Sequence, residues 1–203
     1  MNLLLQWNKA IKELSEKDIV ISKIISRYPN EKMMMKNNTL HTLVRSIVGQ
    51  QISVKAADAI WNRLEKACEN NITKESLLKL KKEKLRKIGL SNTKSDYILN
   101  VVNANITKIE WEKLEDEEIK DKLCEIKGIG PWTAEMFLIF RLGRPNVLPL
   151  GDIGLINAIN LNYNNNEKLS KEELIKFKNK WNPWCSIATW YMWRSLDPIS
   201  VEY

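Results

Sequence analysis

Asp152 closes a Pro149-Leu150-Gly151-Asp152 turn and stands directly before Ile153 to Ile159, an apolar run with helical period. A carboxylate in that position can cap the helix by accepting its first backbone N–H groups. It can equally serve a reaction that needs an ionised acid, because the same donors and the helix dipole favour the charged form. Upstream, Lys127-Gly128-Ile129-Gly130-Pro131 joins two segments of helical period. The glycines are expected to make a turn too tight for side chains at both positions, and Pro131 suits a first helical residue whose N–H would go unbonded anyway. Two readings fit this corner. The glycines either only cap the first helix, or they let backbone N–H groups at the second helix's N-terminus hold a phosphate. A third polar group, Gln50-Gln51-Ile52, falls between two amphipathic stretches and reads by itself as a solvated helix–helix turn.

The elements that must position these residues are helical throughout, and no alternating strand pattern appears. The spacing predicts a helix over 3–14, then one opened by a capping box at Ser15-Glu16-Lys17-Asp18 and running to Tyr28. Helix 40–49 presents Leu40, Leu43, Val44, Ile47 and Val48 on one face. Gly49 ends it, and Ser53 caps a successor that turns Ala56, Ala57, Ile60, Trp61 and Leu64 inward. The basic run Lys74 to Lys87 reads as a solvated helix face, stopped at Gly89. Ser91 or Thr93 opens the next helix, with Tyr97, Ile98, Val101 and Val102 inside, and acidic residues 112–121 open the helix that enters the glycine turn. After Asp152 a short helix is expected to end at Ile159, followed by an Asn-rich loop over 160–167. Ser170 and Glu173 form a capping box, and Asn182-Pro183 starts a final helix carrying Trp184, Ile187, Trp190, Tyr191 and Trp193.

The chain's 203 residues can bury a substantial core. A net charge of +7, from 32 Lys and Arg against 25 Asp and Glu, favours a polyanionic partner over an acidic one. Cys68, Cys124 and Cys185 are scattered, and His41 is the lone imidazole, so the usual zinc constellations are excluded and reduced thiols are expected. Met1 to Trp7 lacks the basic leader and cleavage site of a signal peptide, and no apolar run reaches the ~20 residues of a membrane span. A cytoplasmic protein is expected.

Leu123-Cys124-Glu125-Ile126-Lys127-Gly128-Ile129-Gly130-Pro131-Trp132-Thr133-Ala134, with Asp152 beyond it, resembles the helix–hairpin–helix of the HhH-GPD superfamily of DNA base-excision glycosylases. Val48-Gly49-Gln50-Gln51-Ile52-Ser53 is similar to the same superfamily's Gln-Gln-(Leu/Ile)-Ser signature. Trp181-Asn182-Pro183-Trp184 with Ala188-Thr189-Trp190-Tyr191 resembles the C-terminal helix of its 3-methyladenine, alkylpurine-specific members.

The resemblance implies an all-α fold of two helical lobes flanking a DNA-binding cleft. One lobe would span 38–145 and contain the hairpin; the other would combine 1–37 with 146–203. It implies a monomer that flips an N3- or N7-alkylated purine out of double-stranded DNA and hydrolyses its glycosidic bond in base-excision repair. Asp152 would be the catalytic residue, its ionised carboxylate stabilising the cationic sugar and orienting water. Trp132, Trp184 and Tyr191 are candidates to stack on the electron-deficient base, and each of the latter two can equally be core. Gln51 or Ile52 would wedge into the gap left by the flipped nucleotide. Lys127, Gly128, Gly130 and Thr133 would hold phosphate, and carbonyls of Ile126 and Ile129 would offer a place to a monovalent cation, Na+ or K+; no other cofactor is implied. Bifunctional members carry a Lys where this chain has Trp132, so no strand cleavage is implied. The chain departs from its relatives at Cys185, where they commonly have Arg; it also has no counterpart of the four-Cys iron–sulfur loop and is expected to lack the extra N-terminal sheet domain. Rival expectations are a glycosylase for oxidised, deaminated or mismatched bases, and a non-catalytic helix–hairpin–helix DNA-binding module.

Overall fold

The computed structural model describes residues 3–197; positions 1–2 and 198–203, the outermost parts of the expected second lobe, lie outside the described residues. Among the described residues the secondary structure is helical, with no strand. In chain order the helices are α1 (Trp7–Lys17), α2 (Ile19–Ile25), α3 (Thr39–Gly49), α4 (Val54–Ala67), α5 (Lys74–Ile88) and α6 (Asn92–Asn103). They continue as α7 (Asp116–Cys124), α8 (Pro131–Phe140), α9 (Ile153–Tyr163), α10 (Lys171–Trp181) and α11 (Cys185–Leu196), with 3-10 turns at Leu3–Gln6, Ile106–Lys108 and Trp111–Lys113. None of them is long and apolar enough to cross a membrane. The chain divides into two compact units: Met1–Met35 with Leu138–Glu202, and Lys36–Phe137.

In the first unit the break between α1 and α2 falls at Asp18, not at Ser15. Asp18 is extended, and its Oδ1 accepts from the backbone N–H groups of Val20 and Ile21. Its other oxygen accepts from Tyr163 Oη at 2.6 Å and Trp181 Nε1 at 3.1 Å, with the Lys180 ammonium 3.2 Å away. One buried carboxylate therefore caps α2 and ties it to α9 and α10. Burial alone would raise its pKa; the hydrogen bonds from Tyr163, Trp181 and Lys180 outweigh that and hold it below the ordinary carboxylate value. Helix α9 runs past the expected stop at Ile159 to Tyr163. The cause is Asn160, which is buried and accepts the Leu169 N–H on Oδ1, fastening the returning loop from within the helix. Helix α11 starts at Cys185, after Trp184 rather than at Pro183, and is buried on all sides from Cys185 to Arg194.

The second unit is built around α3, whose Leu43, Val44, Ile47 and Val48 are fully buried. Helix α4 buries Ala57, Trp61 and Leu64, but Ala56 faces solvent, so its apolar stripe is narrower than the sequence suggests. The basic run of α5 is two helical pieces, interrupted at Lys81 (φ 50°, ψ 166°), and Leu78 is exposed. Ser91, the first of the two expected caps, accepts the Lys94 N–H and opens α6.

Candidate functional site

The hairpin between α7 and α8 is closed by backbone bonds from Ile126 N to Leu123 O at 3.1 Å and from Ile129 N to Ile126 O at 2.9 Å. Its two glycines have different tasks. Gly128 has φ +111°, and a Cβ there would stand 2.2 Å from Cγ of Tyr97, the half-buried ring of α6. A Cβ at Gly130 would meet nothing within 4 Å. The expectation of a turn too tight at both positions is thus corrected: only Gly128 is required by the fold. Gly130 leaves open space beside the N-terminus of α8, where backbone donors are unshielded by any side chain of their own. Lys127 is exposed, and its carbonyl accepts from Asn100 Nδ2 at 2.9 Å.

The Gln50 side chain reaches the same hairpin. Its Nε2 donates to Gly128 O at 3.1 Å and to Thr133 Oγ1 at 3.0 Å. Thr133 is only 1% exposed, so its hydroxyl serves this internal bond. Gln51 then takes a left-handed backbone, φ +56°, and both it and Ile52 are exposed. Ser53 caps α4 through Ala56 N–H. The turn between α3 and α4 is therefore anchored at its first residue and presents its next two outward.

In the first unit Asp152 is the N-cap of α9. Its Oδ1 accepts from Leu155 N–H at 2.6 Å and from Trp193 Nε1 at 2.8 Å, and its own N–H closes the turn onto Pro149 O at 2.9 Å. Asp152 is half-buried, and its neighbour Ile153 is 74% exposed. Trp193 stacks on Phe140, centroids 5.9 Å apart and planes 14° from parallel. A Cβ on Gly154 would lie 3.1 Å from Asp152 Oδ1 and 3.6 Å from the Trp193 indole. A fixed carboxylate at a helix start, with two N–H donors setting its orientation, can stabilise a cation developing nearby and position a water. The cap and catalytic readings of Asp152 are physically compatible, because a carboxylate that accepts the cap bond can still act on a cation beside it.

Of the three ring candidates, Trp132 on α8 is half-buried. Tyr191 is 1% exposed, packed against Trp7 and Trp190, and Trp184 is 3% exposed, donating its indole N–H to Glu13 at 2.7 Å. Both sit in the interior of their unit, the packing alternative that the sequence leaves open. Cys185 is fully buried, its thiol pushed up to about 12 by that burial, with Sγ 3.5 Å from Lys178 O. The sequence did not single out Trp193 or Gly154. The one available signal was chemical: a buried indole N–H demands an acceptor.

A family model described as HhH-GPD superfamily base excision DNA repair protein matches residues 44–183. DNA-3-methyladenine glycosylase 1 of Schizosaccharomyces pombe is 33% identical over 85% of this chain and 79% of its own length. DNA-3-methyladenine glycosylase of Bacillus subtilis is 28% identical over 91% of this chain, which spans 66% of that relative. Among solved structures, the S. pombe 3-methyladenine DNA glycosylase in complex with abasic DNA superposes with TM-score 0.83 at 31% identity, covering 92% of this chain and 96% of that one. A DNA-3-methyladenine glycosidase from Bacillus halodurans gives 0.70 at 34% identity, covering 92% and 88%. With its hairpin, its glutamine turn and its capped aspartate inside the matched span, the chain belongs to the HhH-GPD superfamily of base excision DNA repair proteins.

Proposed function

We propose that this chain is a monofunctional DNA-3-methyladenine glycosylase, which hydrolyses the N-glycosidic bond of N3- or N7-alkylated purines and leaves an abasic site. The observation that carries the reading is the Asp152 carboxylate, oriented by Leu155 N–H and Trp193 Nε1–H at the start of α9. As the bond to the base breaks, the sugar becomes cationic, and an anion held in place stabilises it without reorganising. An alkylated purine already carries positive charge and leaves without strong protonation, which suits a chain whose single imidazole lies on α3. Backbone donors of Gly130 and its neighbours at the open end of α8 hold a phosphate, a contact that fixes position and carries no base information. Gln51 or Ile52 fills the gap left by the displaced nucleotide, offsetting its lost stacking. Trp132, half-buried on α8, is the ring this reading assigns to stack on the base; Thr133 acts through Gln50 instead of on phosphate. The carbonyls of the hairpin fit a monovalent cation by donor type: they are neutral oxygens, and Ile126 O, which accepts one bond from Ile129 N–H, keeps a second lone pair. Such an ion would add positive charge beside the phosphate.

Incubation with methylated duplex tests the reading. Release of free 3-methyladenine or 7-methylguanine, with an alkali-labile abasic site left in an uncut strand, is the expected result. Binding without release would instead favour a DNA-binding module, and release of oxidised or deaminated bases alone would assign the chain to another lesion class.

A further inference from the structure

We propose that Lys94 is a positioning residue that preforms the Gln50–Ile52 turn for insertion into DNA; this rests on the reading of that turn as the wedge. Lys94 projects from the first turn of α6, where a cation opposes the dipole of its own helix. Burial also holds its pKa below the ordinary lysine value. Its placement therefore answers to something outside α6. The ammonium donates to Val48 O at 2.9 Å and to Gln50 O at 2.7 Å. The first is among the carbonyls that the end of α3 leaves without a helical partner, and a cation suits that negative end. The second belongs to the residue whose side chain already grips Gly128 O and Thr133 Oγ1. The main chain entering the turn is thus pinned by one charge, and the side chain by the hairpin. Beyond those pins Gln51 holds φ +56°, and Ile52 leaves 37% of its surface in solvent. A left-handed glutamine followed by an exposed isoleucine persists only where the surroundings over-determine it. Lys94 and Gln50 supply that determination before DNA arrives, so insertion does not have to order the loop first.

The test uses the full chain and a duplex carrying a tetrahydrofuran abasic analogue, with 2-aminopurine as the neighbouring base to report insertion by fluorescence. Wild type should give a rapid signal. Lys94→Met should bind undamaged duplex as wild type does, yet insert roughly tenfold more slowly, the loss of charge-assisted bonds at the turn. Lys94→Arg should regain most of the rate, and Lys79→Met, which removes a charge from the exposed face of α5, should change nothing. Should Lys94→Met fail to fold by circular dichroism, Lys94→Gln, which keeps a donor without the charge, carries the comparison. Insertion at the wild-type rate by the neutral variant overturns the proposal. So does an equal loss of affinity for undamaged duplex, which would make Lys94 a phosphate contact or a general support. Absence of any signal from wild type would instead sink the reading of Gln51 and Ile52 as the wedge, and this inference with it.

Discussion

Trp193 donates its indole N–H to Oδ1 of Asp152 across 2.8 Å, although 41 residues separate them in the chain. The same ring lies flat on Phe140, so it is held from its face while it holds the carboxylate from its edge. Trp193→Phe keeps the stack and deletes the donor. We expect kcat for alkylpurine release to fall about tenfold, with affinity for abasic duplex unchanged. Asp152→Asn can still cap α9, so it should fold normally and lose about 10²–10³ of the excision rate in single-turnover assays. Full activity in that variant would mean another group supports the sugar.

The hairpin glycines should separate stability from binding. Gly128→Ala meets both a left-handed backbone and the Tyr97 ring, and should lower unfolding stability by about 2–4 kcal/mol in denaturant titrations. Gly130→Ala meets nothing in the protein. It should leave stability within about 0.5 kcal/mol while weakening duplex binding about tenfold, as one backbone contact to phosphate is obstructed. A gel-shift titration that ranks the two the other way round would remove the phosphate from this corner.

On the proposed monofunctional reading, Trp132 stands where a bifunctional relative would offer an amine. Borohydride added to the protein with abasic duplex should therefore trap no covalent adduct, and the strand should stay intact until alkali is added. A trapped adduct would point to a lysine nucleophile elsewhere in the chain.

His41 sits edge-on to Trp61, ring centroids 4.8 Å apart. Burial first, then the charges of Lys36 and Arg45, bring its pKa down to about 4. In the unfolded chain an imidazole titrates near 6.5. Between those values the unfolded state takes a proton that the folded state refuses, so this contribution is complete above about pH 6.5 and is lost as the pH falls towards 4. The ring is only partly shielded, and the loss should be about 1–2 kcal/mol. Denaturant melts at about pH 7 and about pH 4.5 should show a smaller acid penalty for His41→Phe than for wild type. Equal penalties would mean that the folded state accepts the proton.

How far the sequence could be read depended on the range of the interaction. Ser53, Ser170 with Glu173, and Pro131 are local signals, and each stands at the helix start it marks. Asp18 displaced Ser15 as the cap because the choice was made by distant partners, Tyr163 and Trp181, which no window of neighbouring residues contains. Asn160 read as a loop former and is instead an interior fastener, since its acceptor serves Leu169 N–H and not its own helix. In the candidate site the same division holds. The hairpin and the Asp152 turn were visible as short words in the chain, whereas the bonds from Lys94 and Trp193 were not, because side chains on separate helices meet only after packing.

Gly154 carries a consequence for anyone redesigning the enzyme. Exchanging a helical glycine for alanine is a routine way to raise melting temperature, through reduced freedom of the unfolded chain. In α9 the added methyl would stand 3.1 Å from Asp152 Oδ1 and crowd the Trp193 indole, so the carboxylate would have to retreat by a few tenths of an ångström. Where the gain in the unfolded chain outweighs that crowding, the variant that melts later would, with Asp152 as the proposed catalytic carboxylate, be the slower catalyst, and thermostability screens blind to turnover would select it.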